Sequence, residues 1–411
     1  MSKTCFSILF LLLIDLSLPA VVYSQPEDSK RPPDFKWSRG PDRLYQVTKW
    51  DATGRVKRIG FIDNAGKLVI DYDRLPSSTR IVGEFHEGRA VIYLDRDAPP
   101  GAPAYDVGFI DEAGNMVIPP RFYDARPFSE GLAYVFGPQF SGFIDLQGKP
   151  IIKTDGHTRD FHEGLAAVAS SEGPWGYIDH SGKVVIRQQY GLADDFSEGL
   201  AGVVVDRKFG FINKKGEMVI PPRFTPHRGP YLWDPLVATS RFSDGLAPVT
   251  TEDGFGLGKA YGYINHKGEF VIPPQFLFAQ LFSEGLAFVA TPDPKANQVK
   301  KVGWIDKAGQ WVVTEVQGLS PGESAKAFSS FGLDHRYSEG LTRFTVYSAE
   351  GLPLHGYIDR KGKVIIEPRQ YNRIDPFHGG IARVWVRGYE AFPNEDYGYI
   401  NKTGQFIWRS R

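Results

Sequence analysis

The chain has 411 residues, 48 basic and 48 acidic side chains, and no formal net charge. Such a balance gives no electrostatic case for nucleic acid or for an anionic membrane surface. With 42% hydrophobic and 14% aromatic residues there is material for an extended core, while a single cysteine, Cys5, leaves no disulfide framework and no thiolate site.

In chain order, the first segment reads MSKTCFSILFLLLIDLSLPAVVYSQ. Lys3 precedes an apolar run from Phe6 to Ile14, and Val22 and Ser24 are small enough for cleavage before Gln25. Residues 1–24 are therefore expected to be a secretory signal peptide, placing the chain in the periplasm or outside the cell. Residues 25–44, with Pro32 and Pro33, read as a linker, and residues 45–411 as one repeat domain. With the signal removed no integral membrane span is expected, and the chain is expected to be a monomer.

From Gly60 onward two markers alternate. The first, Gly-aromatic-Ile-Asp/Asn-x-x-Gly, begins at Gly60, Gly108, Gly142, Gly176, Gly210, Gly262, Gly303, Gly356 and Gly398. The second, Phe-Ser/His-Glu-Gly-Leu-Ala with variants, begins at Phe85, Phe128, Phe161, Phe196, Phe242, Phe282, Tyr337 and Phe377. The copies act as an internal mutation series. Position four of the first marker is Asp63, Asp111, Asp145, Asp179, Asp306 and Asp359, but Asn213, Asn265 and Asn401. A catalytic carboxylate would not tolerate that exchange. Both side chains can accept a hydrogen bond from the backbone two residues on, and the glycine three positions later can take positive φ. A hairpin turn is therefore expected at each copy, with Gly66, Gly114, Gly148, Gly182, Gly216, Gly268, Gly309, Gly362 and Gly404 as its structural glycines.

After the turn, segments such as NMVIPPRF at Asn115 and EFVIPPQF at Glu269 alternate like half-buried strands, which the double proline is expected to end. A third strand follows each second marker, as in LAYVF and LAAVA. The marker's Glu (Glu87, Glu130, Glu163, Glu198, Glu284, Glu339) is expected to cap its own turn and face solvent. His86, His162 and His378 stand where Ser stands elsewhere, an exchange that points to exposure rather than metal ligation. No stretch of helical length shows a 3.6-residue period.

The fold class implied is all-β, a tandem β-hairpin repeat array forming an open or superhelical solenoid, with a β-propeller as the alternative. Nine units exceed the usual blade number, which favours the open form. Nine first markers against eight second markers suggest an incomplete last unit, GYINKTGQFIWRSR.

Function is sought where the repeat is interrupted. Residues 225–240 and 315–336 are insertions before a second marker, and DRDAPPGAPAYD, TEDGFGLGKA, TPDPKANQ and RGYEAFPNED lengthen the connection after the third strand. Arg228, Tyr231 and Trp233 cluster in the first insertion and are the candidate binding residues. The chain carries no phosphate loop, dinucleotide fingerprint, HExxH or GxSxG. No catalytic residue, metal ligand or cofactor is assigned.

With both markers laid out, the chain resembles the WG-repeat family, also called KWG repeats. The resemblance rests on the first marker, Val-Ile-x-Pro-x-Phe/Tyr and Phe-x-Glu-Gly-Leu-Ala, and Gly303–Trp304–Ile305–Asp306 carries the family's Trp. It implies a bacterial, β-rich, often exported array without agreed catalytic residues. The leading expectation is a non-catalytic exported scaffold that binds a protein or a cell-surface glycan. The alternatives are a carbohydrate-active hydrolase, with a carboxylate pair drawn from Asp234, Glu252, Asp253, Glu323 and Asp334, and a purely structural envelope protein.

Overall fold

A computed structural model describes residues 44–50, 57–98, 103–154, 156–170, 173–226, 240–251, 260–293, 298–328, 335–387 and 396–410. The expectations for residues 1–24 and for the linker before Leu44 lie outside the described residues.

Each first marker ends one strand and makes the turn into the next. The Asp or Asn Oδ1 accepts two backbone N–H groups, from residues two and four positions on, at 2.8–3.1 Å in all nine copies. The turn glycine donates to the carbonyl of that same residue at 2.8–3.1 Å. Asp and Asn present the same acceptor oxygen, so one replaces the other without changing the turn. At Gly148 φ is +80°, and an added Cβ would lie 3.0 Å from Ile118 of the preceding repeat.

The strand after the turn runs through the prolines instead of stopping at them: Met116–Phe122, Met218–Phe224 and Phe270–Phe276 are continuous. A bulge absorbs them, since Phe109 faces Ile118 while Val107 faces Phe122. The strand is also a sheet edge, where a missing N–H costs little. Its exposed Val184 and Val185 place it on the outer rim.

The described strands form nine antiparallel meanders, six of four strands and three of three, spanning residues 45–70, 79–122, 124–153, 157–190, 192–224, 247–276, 278–313, 341–369 and 373–409. Among the described residues no strand is shared between sheets. Apolar clusters join consecutive sheets: Tyr177 and Ile186 of the fourth pack with Phe196 and Val203 of the fifth.

The array is a closed nine-bladed β-propeller, and the open or superhelical solenoid is overturned. Each marker-one aromatic meets the marker-two aromatic of the following blade. The pairs are Phe61–Phe85, Phe109–Phe128, Phe143–Phe161, Tyr177–Phe196, Phe211–Phe242, Tyr263–Phe282, Trp304–Tyr337 and Tyr357–Phe377. The ninth pair is Tyr399 with Tyr45, between the last blade and the first, at 5.5 Å. Val47 and Ile62 of blade one pack with Ile381, Trp385, Tyr397 and Tyr399 of blade nine. A Cβ on Gly66 would meet the Ile407 carbonyl at 2.5 Å, the counterpart of the Gly148–Ile118 contact. Nine blades close because seam nine-to-one repeats the aromatic pair and the apolar packing of the others.

The incomplete unit is the first, not the last. The final hairpin, Asp396–Asn401 and Phe406–Arg409, completes the sheet of Ile381–Arg387. Among the described residues blade one begins at Tyr45, which supplies the aromatic of the marker, while its sequence Tyr-Gln-Val-Thr offers no Ser-Glu-Gly counterpart. One helix, Pro321–Ala327, sits in the 315–336 insertion and was not expected from periodicity. Its capping box, Ser320 with Glu323, and Pro321 in the first turn were legible as a local signal.

Candidate functional site

A meander sends alternate connections to opposite ends of its sheet. First-to-second and third-to-fourth strand connections share one face of the propeller, and these carry the two markers. Second-to-third and blade-to-blade connections share the other.

The marker face is locked. In seven blades the marker-two acid sits at φ 52–56°, and its carboxylate reaches the backbone N–H of the next marker's glycine. The links are Glu87–Gly131, Glu130–Gly164, Glu163–Gly199, Glu198–Gly245, Asp244–Gly285, Glu284–Gly340 and Glu339–Gly380, at 2.6–3.0 Å. The acid therefore ties blades together instead of capping its own turn. Where Ser precedes it, the hydroxyl makes a parallel link, as Ser129 does to the Phe161 carbonyl at 2.6 Å. A nitrogen-bearing side chain from the next blade's turn often joins: Lys214 on Glu163, Lys402 on Glu339, His180 on Glu130 and His266 on Glu198, at 3.0–3.4 Å. His86 is buried, so the Ser/His exchange does not track exposure.

The length variation opens on the opposite face. There Val205 turns to Lys208 through two residues, while Asp95 to Tyr105, Thr251 to Ala260 and Arg387 to Asp396 are long connections. Arg228, Tyr231 and Trp233 lie outside the described residues, in the connection from Phe224 to Ala247. Asp234, Glu252, Asp253 and Asp334 also lie outside them. Glu323 is occupied in the helix cap, accepting from Ser320 N and Oγ. From the described part of the 315–336 insertion, Val316, Ala327 and Phe328 reach the core and pack with Trp304 and Tyr337.

Two charged places escaped the sequence reading. One precedes the markers of blades four and five. Asp194, 8% exposed, pairs with Arg159 at 3.3 Å, and Asp195 faces His162 at 3.7 Å. Asp194 Oδ2 has no hydrogen-bond partner among the described residues. Burial, with Asp195 adding, pushes the Asp194 carboxyl up to about 7 against the pull of Arg159 and Arg241. The signal was present as Arg-Asp-Phe at Arg159 and Asp-Asp-Phe at Asp194, beside the marker but outside its pattern.

The second place is at blade one. Where its marker loop is missing there is a cavity of about 90 Å³, lined from blade nine by Asp375, His378 and Arg383, from blade two by Glu84 and Phe85, and from blade one by Tyr45. Asp375 binds Arg383 at 3.3 Å and Arg373 at 3.2 Å. The Tyr45 hydroxyl donates to the His378 carbonyl at 2.7 Å, and that of Tyr399 to the Gln46 carbonyl at 2.8 Å. No group of three or more metal-ligating side chains occurs among the described residues, and no described helix is long and apolar enough to cross a membrane.

A ring of repeated blades, locked on one face and variable on the other, defines a β-propeller. Residues 108–136, 175–209, 209–225, 261–290 and 356–388 match the WG containing repeat, and the chain belongs to the WG-repeat family. No curated protein matches the sequence. Among solved structures, the computationally designed Ika8 protein shares 11% identity at a TM-score of 0.40, over 75% of this chain and 92% of its own. The dihydro-heme d1 dehydrogenase NirN shares 12% at 0.37, over 92% and 75%. BamB from Moraxella catarrhalis shares 11% at 0.35, over 69% and 84%. Likeness at this level carries neither activity nor location to this chain.

Proposed function

We propose that the chain is a non-catalytic exported scaffold whose insertion face binds a protein or a cell-surface glycan. One observation carries the reading. The repeat varies in length on a single face, while seven carboxylate links hold the other face constant. A rigid ring presenting unequal loops is how repeat proteins build binding surfaces. Export rests on Lys3, the apolar run and the Ser24–Gln25 boundary. Protein recovered from its host should begin near Gln25, and intact Met1 in the cytosol would overturn the location.

The binding test is Trp233→Ala combined with Tyr231→Ala. The aromatic pair offers large contact area at low entropic cost. Unchanged melting with at least about tenfold weaker binding to a partner captured from envelope extracts, or to a glycan on an array, supports the reading. Early melting would make these residues part of the core. Normal binding by a stable double variant would remove the first insertion from the site.

A further inference from the structure

We propose that the insertion face binds a neutral, β-linked oligosaccharide at the corner between blades two and three. The inference rests on the insertion-face reading and gives it a ligand class and a place among the described residues. Blade two joins its second and third strands by the long connection from Asp95 to Tyr105, and blade three by the short one from Phe136 to Ser141. The link between the blades, from Phe122 to Asp124, opens on the same face. Beside the longer neighbour the short hairpin leaves Phe136 50% exposed. That hairpin is firmly seated. Tyr123 N donates to the Phe136 carbonyl at 2.7 Å, and a Cβ on Gly137 would lie 3.2 Å from the Phe122 ring.

Rings and one carboxylate run continuously across the corner. Tyr105 meets Tyr93 edge to face at 5.4 Å. The Tyr93 hydroxyl donates to Asp124 Oδ1 at 3.0 Å, Asp124 pairs with Phe136 across the sheet, and Phe136 meets Tyr123 at 6.1 Å. Ala125 N also donates to Oδ1, at 2.9 Å, which leaves Asp124 Oδ2 as an acceptor for a guest. A pyranose suits this combination. Its C–H face is weakly positive and packs on the negative face of an aromatic ring, while its hydroxyls donate to a carboxylate. A β-linked, gluco-configured chain presents such flat faces on successive units, as a run of rings requires. The basic side chains beside the corner are already paired: Arg80 with Asp95 at 3.6 Å, Arg96 with Asp106 and Arg126 with Asp160, both at 3.2 Å. An anionic polysaccharide would therefore gain little and would meet Asp124 unfavourably. The exposed apolar surface is narrow and bordered by hydroxyls and a carboxylate, which suits a sugar chain better than a protein interface with a dry apolar centre.

The test is calorimetric titration of the full chain with cellotetraose and with tetra-N-acetylchitotetraose, and with tetragalacturonate as the anionic comparator. At least one neutral tetramer should bind, about tenfold or more tighter than tetragalacturonate, and high salt should leave its binding unchanged. Phe136→Ala should weaken that binding about tenfold and Asp124→Asn several-fold, with melting as in the parent, while Phe136→Tyr keeps a ring and most of the binding. Should Phe136→Ala melt early, Asp124→Asn decides alone. The Trp233→Ala, Tyr231→Ala variant should bind the tetramer as the parent does. Tetramer binding that survives Phe136→Ala and Asp124→Asn but is lost with Trp233 and Tyr231 would overturn this corner and leave the insertion-face reading standing. Absent binding of both neutral tetramers, tighter binding of tetragalacturonate, or loss of binding at high salt would overturn the corner as well, while a protein captured through Trp233 and Tyr231 would still uphold the wider reading.

Discussion

Asp194 gives the propeller a pH dependence that can be worked out in advance. Its carboxyl is raised from 3.8 to about 7, chiefly by burial. The folded state thus holds this proton more tightly than the unfolded chain. Its stabilising contribution is complete below about pH 4 and is lost as pH rises through 7. The gap of about 3 units corresponds to about 4 kcal/mol at full titration. Asp194→Asn keeps the shape and removes the charge. Arg159 retains its position over the Trp175 ring, 5.7 Å from its centroid. Thermal melts of parent and variant at intervals from pH 4 to pH 8 should converge at the acid end. At pH 8 the variant should melt higher, by about 4–8 °C for a domain of this size. Asp160→Asn is the control, because its pairing with Arg126 at 3.2 Å is more exposed. Parallel curves for parent and Asp194→Asn, or a variant that melts lower at pH 8, would refute the assignment of buried ionisation to this residue.

Turn chemistry and seam chemistry give further expectations, each read by thermal or denaturant melts. Asp145→Asn should change stability by no more than a few tenths of a kcal/mol, since Asn holds the same two N–H groups in three other blades. Gly148→Val should cost about 2–3 kcal/mol, combining positive φ with the Ile118 contact. Glu130→Ala should cost about 1 kcal/mol by releasing the Gly164 N–H and the His180 contact. A silent Glu130→Ala would show that the carboxylate links do not hold the blades.

The strands and turns were legible because they are local: an Asp or Asn acceptor and a glycine three residues on specify the turn wherever they occur. The extension through Pro119 and Pro120 was not legible, because a bulge and a free edge are properties of the sheet. The role of Glu130 was hidden for a related reason. Its partner Gly164 lies 34 residues away, one blade on, and looks like a turn residue in its own right. Asp194 and Arg159 escaped because they sit just outside the marker, at positions that vary from copy to copy. The same variation is what makes them distinctive.

Closure was the least legible feature, and Tyr45 shows why. Whether repeats close depends on the small rotation between neighbours, which no single repeat encodes. The sequence does contain the closing piece, but disguised. Tyr45 is followed by Gln-Val-Thr, not Ser-Glu-Gly, so it reads as a linker end or a strand start. In the ring it fills the ninth aromatic position against Tyr399. The marker count of nine against eight therefore records not an open end but a loop removed from a closed ring. That removal leaves Thr48 and Tyr397 to meet across the seam at 3.0 Å, with the aromatic pair and the apolar cluster of Val47 and Trp385. A seam made this way keeps its packing while losing its carboxylate links.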